Sequence, residues 1–219
     1  MNFRKKNIVA KLLILVSVTL VIVSCSTKKN NFVNRKYHNT TAKYNGYFNG
    51  NESLKAGIKK LEENHKDDFS EIIPVFKTGD LAKNQTIHPY MNKAIEKGSI
   101  VIQRHSMNIR GKEHNKWIDD NYFMIGKSYF YKGEFDEAIK TFNYIKETYK
   151  RNPLKYDAAL WLARCFSEKE DYVAAEMELD QLQTDRKFPE KLDDELAVIL
   201  ADFYLKQENY ILALDELNT

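Results

Sequence analysis

The chain has few of the residues that staple or break a fold. It contains two cysteines, Cys25 and Cys165, with four prolines and eight glycines among 219 residues. So few cysteines exclude a disulfide framework. Cys165 sits among Ala163 and Phe166 and reads as a small core hydrophobe, with no nearby His or Asn to make it a nucleophile. Catalytic signatures are missing too. There is no Gly-rich phosphate loop and no Ser elbow motif. His38, His65, His88, His105 and His114 show no pairing at the spacing of three to five residues that zinc sites use, and no cysteine stands beside them. The acidic pair Asp119-Asp120 falls where a helix starts and reads as a dipole partner. We therefore expect no enzyme activity, cofactor, metal or small-molecule substrate.

No apolar run is long enough to span a bilayer. Residues 12–23 are apolar apart from Ser17 and Thr19. As a helix that stretch is about 18 Å long, against a hydrocarbon core of about 30 Å. It follows Arg4, Lys5, Lys6 and Lys11, with no acid before it. Charged start, short apolar core and small residue make a secretory signal. Its end, Ile22-Val23-Ser24-Cys25, resembles the bacterial lipobox. That resemblance implies cleavage after residue 24 and a lipid on the thiol of Cys25.

The basic character of the whole chain belongs partly to this segment. Residues 1–24 hold four basic groups and no acid, which leaves 30 basic and 31 acidic residues, net −1, beyond them. A nucleic-acid partner loses its electrostatic footprint. Charge is also uneven: residues 25–66 carry net +6, residues 67–166 net +3, and residues 167–219 net −10. The basic end lies beside the anchor, where anionic head groups are near, and the acidic end lies away from it. Either end also reads as an ordinary solvated face.

What is abundant is helical periodicity. Alternation long enough for a sheet is absent, so the expectation is an all-α fold. Residues 25–35 read as a polar, basic tether. Residues 36–116 read as a degenerate helical repeat region. It has a turn at Asn49-Gly50-Asn51, a helix over 88–105 and a polar loop over 108–116 around Gly111.

Residues 117–219 hold three copies of one pattern, the last truncated. The first is Tyr122, Ile125, Gly126, Tyr129, then Phe135, Ala138, Phe142, Ile145. The second is Ala159, Leu162, Ala163, Phe166, then Tyr172, Ala175, Leu179, Leu182. The third is Ala197, Leu200, Ala201, Tyr204, then Tyr210, Ala213, Leu217. Gly126, Ala163 and Ala201 are 37 and 38 residues apart, as are Ala138, Ala175 and Ala213. Two antiparallel helices cross closely where a small residue sits at the contact, and one pair cannot bury both its faces, so pairs stack. The pattern resembles the tetratricopeptide repeat in units a few residues longer than its usual 34, which implies a helix-turn-helix solenoid. The third copy has no capping helix after it, so the expectation is a longer protein or a partner at that end.

In such solenoids the first helix of each pair lines the inner groove. The expected partner-facing residues are Asp120, Phe123 and Lys127 in one copy and Asp157, Leu160 and Arg164 in the next. Replacing Lys127 and Arg164 with Glu is expected to spare the fold, since surface changes cost little.

The last signal is aromatic. Residues 37–51 hold Tyr37, Tyr44, Tyr47 and Phe48 among five Asn or His residues. Tyr44 and Tyr47 suit a contact surface, because tyrosine offers area and a hydrogen bond together. The alternative is a helix pair whose Tyr and Asn make caps and turns.

This block, Arg35-Lys-Tyr-His-Asn-Thr-Thr-Ala-Lys-Tyr-Asn-Gly-Tyr-Phe-Asn-Gly-Asn-Glu-Ser-Leu54 after Cys25-Ser-Thr-Lys-Lys-Asn, resembles the start of the SprE/PorW family. These are tetratricopeptide lipoproteins of the type IX secretion and gliding-motility machinery of Bacteroidetes. The resemblance implies a non-enzymatic scaffold or adaptor, held by lipid in the outer membrane and binding other machinery proteins. Ser26, Thr27, Lys28 and Lys29 lack the acids that follow the cysteine in surface-exported lipoproteins, so the periplasmic face is expected. Two other readings stay open: an outer-membrane assembly lipoprotein of the BamD type, and a glycan-capturing lipoprotein of the SusD type. The latter wants tryptophan platforms, and Trp117 and Trp161 are the only tryptophans.

Overall fold

A computed structural model describes residues 26–70, 72–76 and 85–218. The signal segment and Cys25 lie outside the described residues. The described fold is all-α apart from one small hairpin. No described helix is long and apolar enough to cross a membrane.

The expected tether is folded from early on. Helix α1 spans Phe32–Thr41, capped by the Asn31 side chain, which accepts from the Asn34 backbone N–H. Asn34 is itself buried, and its Nδ2 donates to the carbonyls of Ser26 at 2.6 Å and Lys29 at 3.2 Å. The basic leader is thus folded back onto the helix.

The expected turn at Asn49-Gly50-Asn51 is also absent. A π-helical stretch, Ala42–Tyr47, joins α1 directly to α2, Phe48–Asn64, and the chain stays helical throughout. The reason lies in the spacing of the buried residues. Asn34, His38, Ala42, Gly46, Gly50 and Leu54 recur every four residues. On an α-helix that spacing drifts by about 40° per step. The more loosely wound π stretch takes up the drift and keeps these residues on one side. Gly50 is a contact and not a breaker: a Cβ there would lie 2.6 Å from Met124 Cε.

Helix α3, His88–His105, packs against this rod, with Val101 against Gly46 and Met91 against Gly57, while Gly98 faces Met124 and Ile125. The polar loop read after it contains a hairpin, with β1 at Asn108–Ile109 antiparallel to β2 at Lys112–Glu113. Arg110 and Gly111 turn it with φ of 54° and 76°, the left-handed pair that a two-residue primed turn demands. Glu113 fixes the ends. Its carboxylate accepts from Ser106 Oγ and from the backbone N–H groups of Met107, His114 and Asn115, at 2.5 to 2.9 Å.

Three helix pairs follow: α4 (Ile118–Tyr131) with α5 (Phe135–Thr148), α6 (Leu154–Glu168) with α7 (Tyr172–Thr184), and α8 (Asp193–Lys206) with α9 (Tyr210–Leu217). Their turns are built alike. Gly133, Glu170 and Glu208 fall at equivalent places and take φ of 75°, 60° and 59°. Ala138, Ala163, Ala175, Ala201 and Ala213 are buried at the crossings, and a Cβ at Gly126 would meet Phe142 at 2.6 Å. Ion pairs link successive pairs: Lys169 with Asp136, Lys146 with Glu178, and Lys206 with Glu168.

Helix α6 is the centre of the molecule. Trp161, Leu162 and Cys165 belong to a core shared with Met91, Met124, Phe130 and Phe142. Tyr156, Leu160 and Ala163 belong to a second core with Leu179, Leu196, Leu200 and Phe203. Burial pushes the Cys165 thiol up, away from thiolate chemistry.

Candidate protein-binding face

The first helices of the three pairs, α4, α6 and α8, lie side by side, with α6 against both others. Equivalent positions therefore form rows. Asp120, Asp157 and Glu195 are one such row, 37 and 38 residues apart. All three carboxyls are pushed up, chiefly by burial. Asp120 is raised to about 6 by burial and by the charges of Asp119 and Asp157. Burial also raises Asp157 and Glu195, and Asp157 adds to the rise at Glu195. Asp157 thus raises both of its neighbours in the row, while Lys191 and Lys127 lower Asp157 itself.

Besides Lys191, two cations stand beside it. Lys127 lies 4.7 Å above the Trp161 ring and 5.7 Å from that of Phe123. Burial, then Arg164, lowers its pKa, while Glu195 and Asp157 hold it up. The Arg164 guanidinium lies 3.9, 4.3 and 4.8 Å from the rings of Phe76, Trp161 and Phe130. Burial raises the pKa of the Tyr131 hydroxyl, and the Arg164 charge holds it down against that larger rise.

This geometry corrects part of the expected contact set. Leu160 is 0 % exposed and sits in the second core. Helix α6 has a neighbour on each side, which leaves it a narrower open strip than its sequence pattern implies. Arg164 is only 5 % exposed, because Phe76 from the segment between α2 and α3 lies on it. Charge reversal at Arg164 would bury a carboxylate among aromatic rings, so the expected indifference of the fold does not hold there. Phe123 is half-buried, edge-on to Phe142 and Trp161. Asp120, Lys127 and Asp157 keep partial access to solvent. Glu195 belongs to the row, though the sequence reading omitted it; the residue is exposed to solvent while its carboxyl is partly desolvated. Its 38-residue offset from Asp157 was the available signal.

The aromatic block divides between two roles. Tyr47 packs on Trp117 with centroids 5.2 Å apart, and burial followed by the Asp120 charge raises its hydroxyl pKa. Tyr44 is exposed, with Lys43 Nζ 5.1 Å from its ring. The polar members make internal contacts. His38 Nδ1 and His105 Nδ1 are 2.9 Å apart. Asn115 Nδ2 donates to the carbonyls of His38 and His105, and Asn39 Oδ1 accepts from the Lys116 N–H at 2.8 Å. The caps-and-turns alternative thus describes the His and Asn residues, while Tyr37, Tyr44 and Phe48 remain exposed.

A second recess lies outside the row, between the hairpin, the start of α4 and the end of α5. Tyr122, Tyr144 and Tyr149 line it, and Tyr122 is pushed up to about 12 by burial and by Tyr144.

No protein-family model and no curated protein sequence matches the chain.

Proposed function

We propose that this chain is a non-enzymatic, tetratricopeptide-type scaffold of the type IX secretion and gliding-motility machinery. It is lipid-anchored through Cys25 at the periplasmic face of the outer membrane, and it binds partner proteins through the face formed by α4, α6 and α8. The observation that carries the binding role is the row Asp120, Asp157 and Glu195. Like charges at equivalent positions of adjacent helices repel, and burial makes each costlier. A cationic segment laid across the row would relieve that repulsion, with Phe123 and Lys127 at its edge. Helix pairs repeating at 37 and 38 residues with small residues at their crossings support the tetratricopeptide reading. The 35–54 block supports the machinery reading by resemblance alone.

The glycan-capturing alternative draws little support from the tryptophans. Trp161 is buried beneath Lys127 and Arg164, and Trp117 is covered by Tyr47 and Lys43. The BamD-type alternative keeps the same fold and a different partner.

The test is the triple variant Asp120→Asn, Asp157→Asn, Glu195→Gln. It keeps shape and removes charge. We expect a melting temperature near that of the parent, since the repulsion removed is offset by the loss of the anions that hold Lys127 up, and at least tenfold weaker recovery of machinery partners from detergent-solubilised membranes. Unchanged recovery would remove the row from the contact site. In a deletion strain, lost cargo secretion with intact barrel assembly supports the machinery reading, and failed barrel assembly supports the BamD type.

A further inference from the structure

The side of the α1–α2 rod turned away from the protein is apolar and aromatic. Phe32 is 70 % exposed, Val33 61 %, Tyr37 45 %, Tyr44 58 % and Phe48 56 %. Such large side chains are rarely left together in water without a partner. Val33, Tyr44 and Phe48 fall opposite the buried row of Asn34, His38, Ala42, Gly46 and Gly50, while Tyr37 lies on the flank with its ring against His38 and His105. The π-helical stretch that keeps the buried row on one side also keeps this ridge on the other, over about 20 Å of continuous helix.

Its charge is of one sign. Residues 26–51 contain Lys28, Lys29, Arg35, Lys36 and Lys43 and no acid. Lys28, Lys29, Arg35 and Lys36 are exposed. The ridge begins seven residues after Cys25.

We propose that the outer ridge of α1–α2 lies flat on an anionic phospholipid surface. Val33, Tyr44 and Phe48 insert at head-group depth, and the lysines pair with lipid phosphates. Three observations favour a bilayer over a protein groove. The surface is one side of a continuous helical rod, convex and not a groove. Tyrosine and phenylalanine suit the interface, where one end of the side chain is dry and the other wet. The basic residues flank the ridge without any acid, as a negative surface requires. One acyl chain gives only marginal membrane binding, so a second contact of this kind makes the attachment durable. It also fixes orientation: the rod lies along the membrane, and the opposite side of the rod carries α3 and the later helix pairs. The inference rests on the lipoprotein reading for the nearness of a bilayer, but its chemistry does not need the lipid.

The test uses the chain from position 25 onward carrying Cys25→Ser, so no acyl group contributes, and all described structure is retained. The probes are vesicles of phosphatidylcholine alone and of phosphatidylcholine with phosphatidylglycerol. We expect co-sedimentation with the anionic vesicles at low salt, at least tenfold weaker at 0.5 M salt and on neutral vesicles. The variant Val33→Ser, Tyr44→Ser, Phe48→Ser should lose at least tenfold in vesicle binding while its circular dichroism and melting temperature stay near the parent's. Lys28→Gln with Lys29→Gln and Lys36→Gln should abolish the preference for anionic lipid. Absence of vesicle binding, or binding untouched by the ridge variant, overturns the proposal. So does a ridge variant that binds vesicles normally but loses a protein partner, which would make the ridge a protein contact. Acyl labelling of the natural chain tests the lipid anchor separately, so the two readings fail independently.

Discussion

The Arg164 guanidinium lies 3.9 Å from the centroid of the Phe76 ring, which joins the segment after α2 to the inner side of α6. This contact is between residues 88 positions apart. It places an aromatic ring of the chain's own over the cation that sequence spacing assigns to a partner. A desolvated cation–aromatic contact contributes about 2 kcal/mol. Arg164→Ala is therefore expected to destabilise by about 2–3 kcal/mol, and Phe76→Ala by about 1 kcal/mol. A double-mutant cycle in urea measures the coupling. Fully additive effects would show that ring and guanidinium merely sit near each other.

Gly46 faces Val101 so closely that a Cβ would stand 1.7 Å from Val101 Cγ2. Gly46→Ala must push α3 away from the rod, at a cost of about 1–3 kcal/mol by overpacking. Val101→Ala alone leaves a small void and also destabilises. Combining the two should recover much of the Gly46→Ala loss, because the new methyl occupies the space that Val101 vacates. Melting curves of the four proteins decide the matter, and a double variant as weak as the sum of the singles argues against this contact.

These contacts mark what sequence can and cannot convey. The three later pairs were legible because Gly126, Ala163 and Ala201 repeat at a nearly constant offset. Local periodicity and turn chemistry determine such pairs. The rod was misread because Asn49-Gly50-Asn51 has turn composition, while its helix is selected by a long-range contact of Gly50 with Met124. The four-residue spacing of Ala42, Gly46 and Gly50 was the available clue. At the candidate face, the partial exposure of Asp120, Lys127 and Asp157 follows from their place on the helix. The burial of Leu160 and Arg164 does not, since it depends on a neighbouring helix and on Phe76. His38 and His105 stand 67 residues apart, and no local spacing rule brings them together.

That histidine pair should make the docking of α1 depend on pH. Burial, then the charges of His38 and Arg104, lowers the His105 pKa below its ordinary value of 6.5. An unfolded chain thus takes up the proton at a higher pH than the folded one. Stability from this group is present above pH about 6.5 and is lost as pH falls below that value. We expect a lower melting temperature at pH 5.5 than at pH 7.5, and faster amide exchange in residues 32–41 at the lower pH. His105→Gln should flatten that difference. An equal pH response in the variant would assign the effect to other groups.

Glu170 and Glu208 hold the backbone conformation that Gly133 adopts in the first pair, with φ of 60° and 59° against 75°. For a residue with a Cβ this left-handed geometry costs roughly 1–2 kcal/mol. Both turns need it nevertheless. The amides of Asp171 and Asn209, one residue later, reach back to the carbonyls of Phe166 and Tyr204 at 3.0 and 2.9 Å, as Glu134 does to Tyr129. Glycine removes the steric cost and adds about 0.5–1 kcal/mol of unfolded-chain entropy. The net expectation for Glu170→Gly or Glu208→Gly is a gain of about 0.5–1 kcal/mol each, which is roughly 1–4 °C in melting temperature for a chain of this size. Gly133→Ala should move the other way by a similar amount. The two gains should add, because the turns are well separated and share no partner. A loss of stability in both glycine variants would mean that the glutamate side chains contribute more in these turns than the strain they impose.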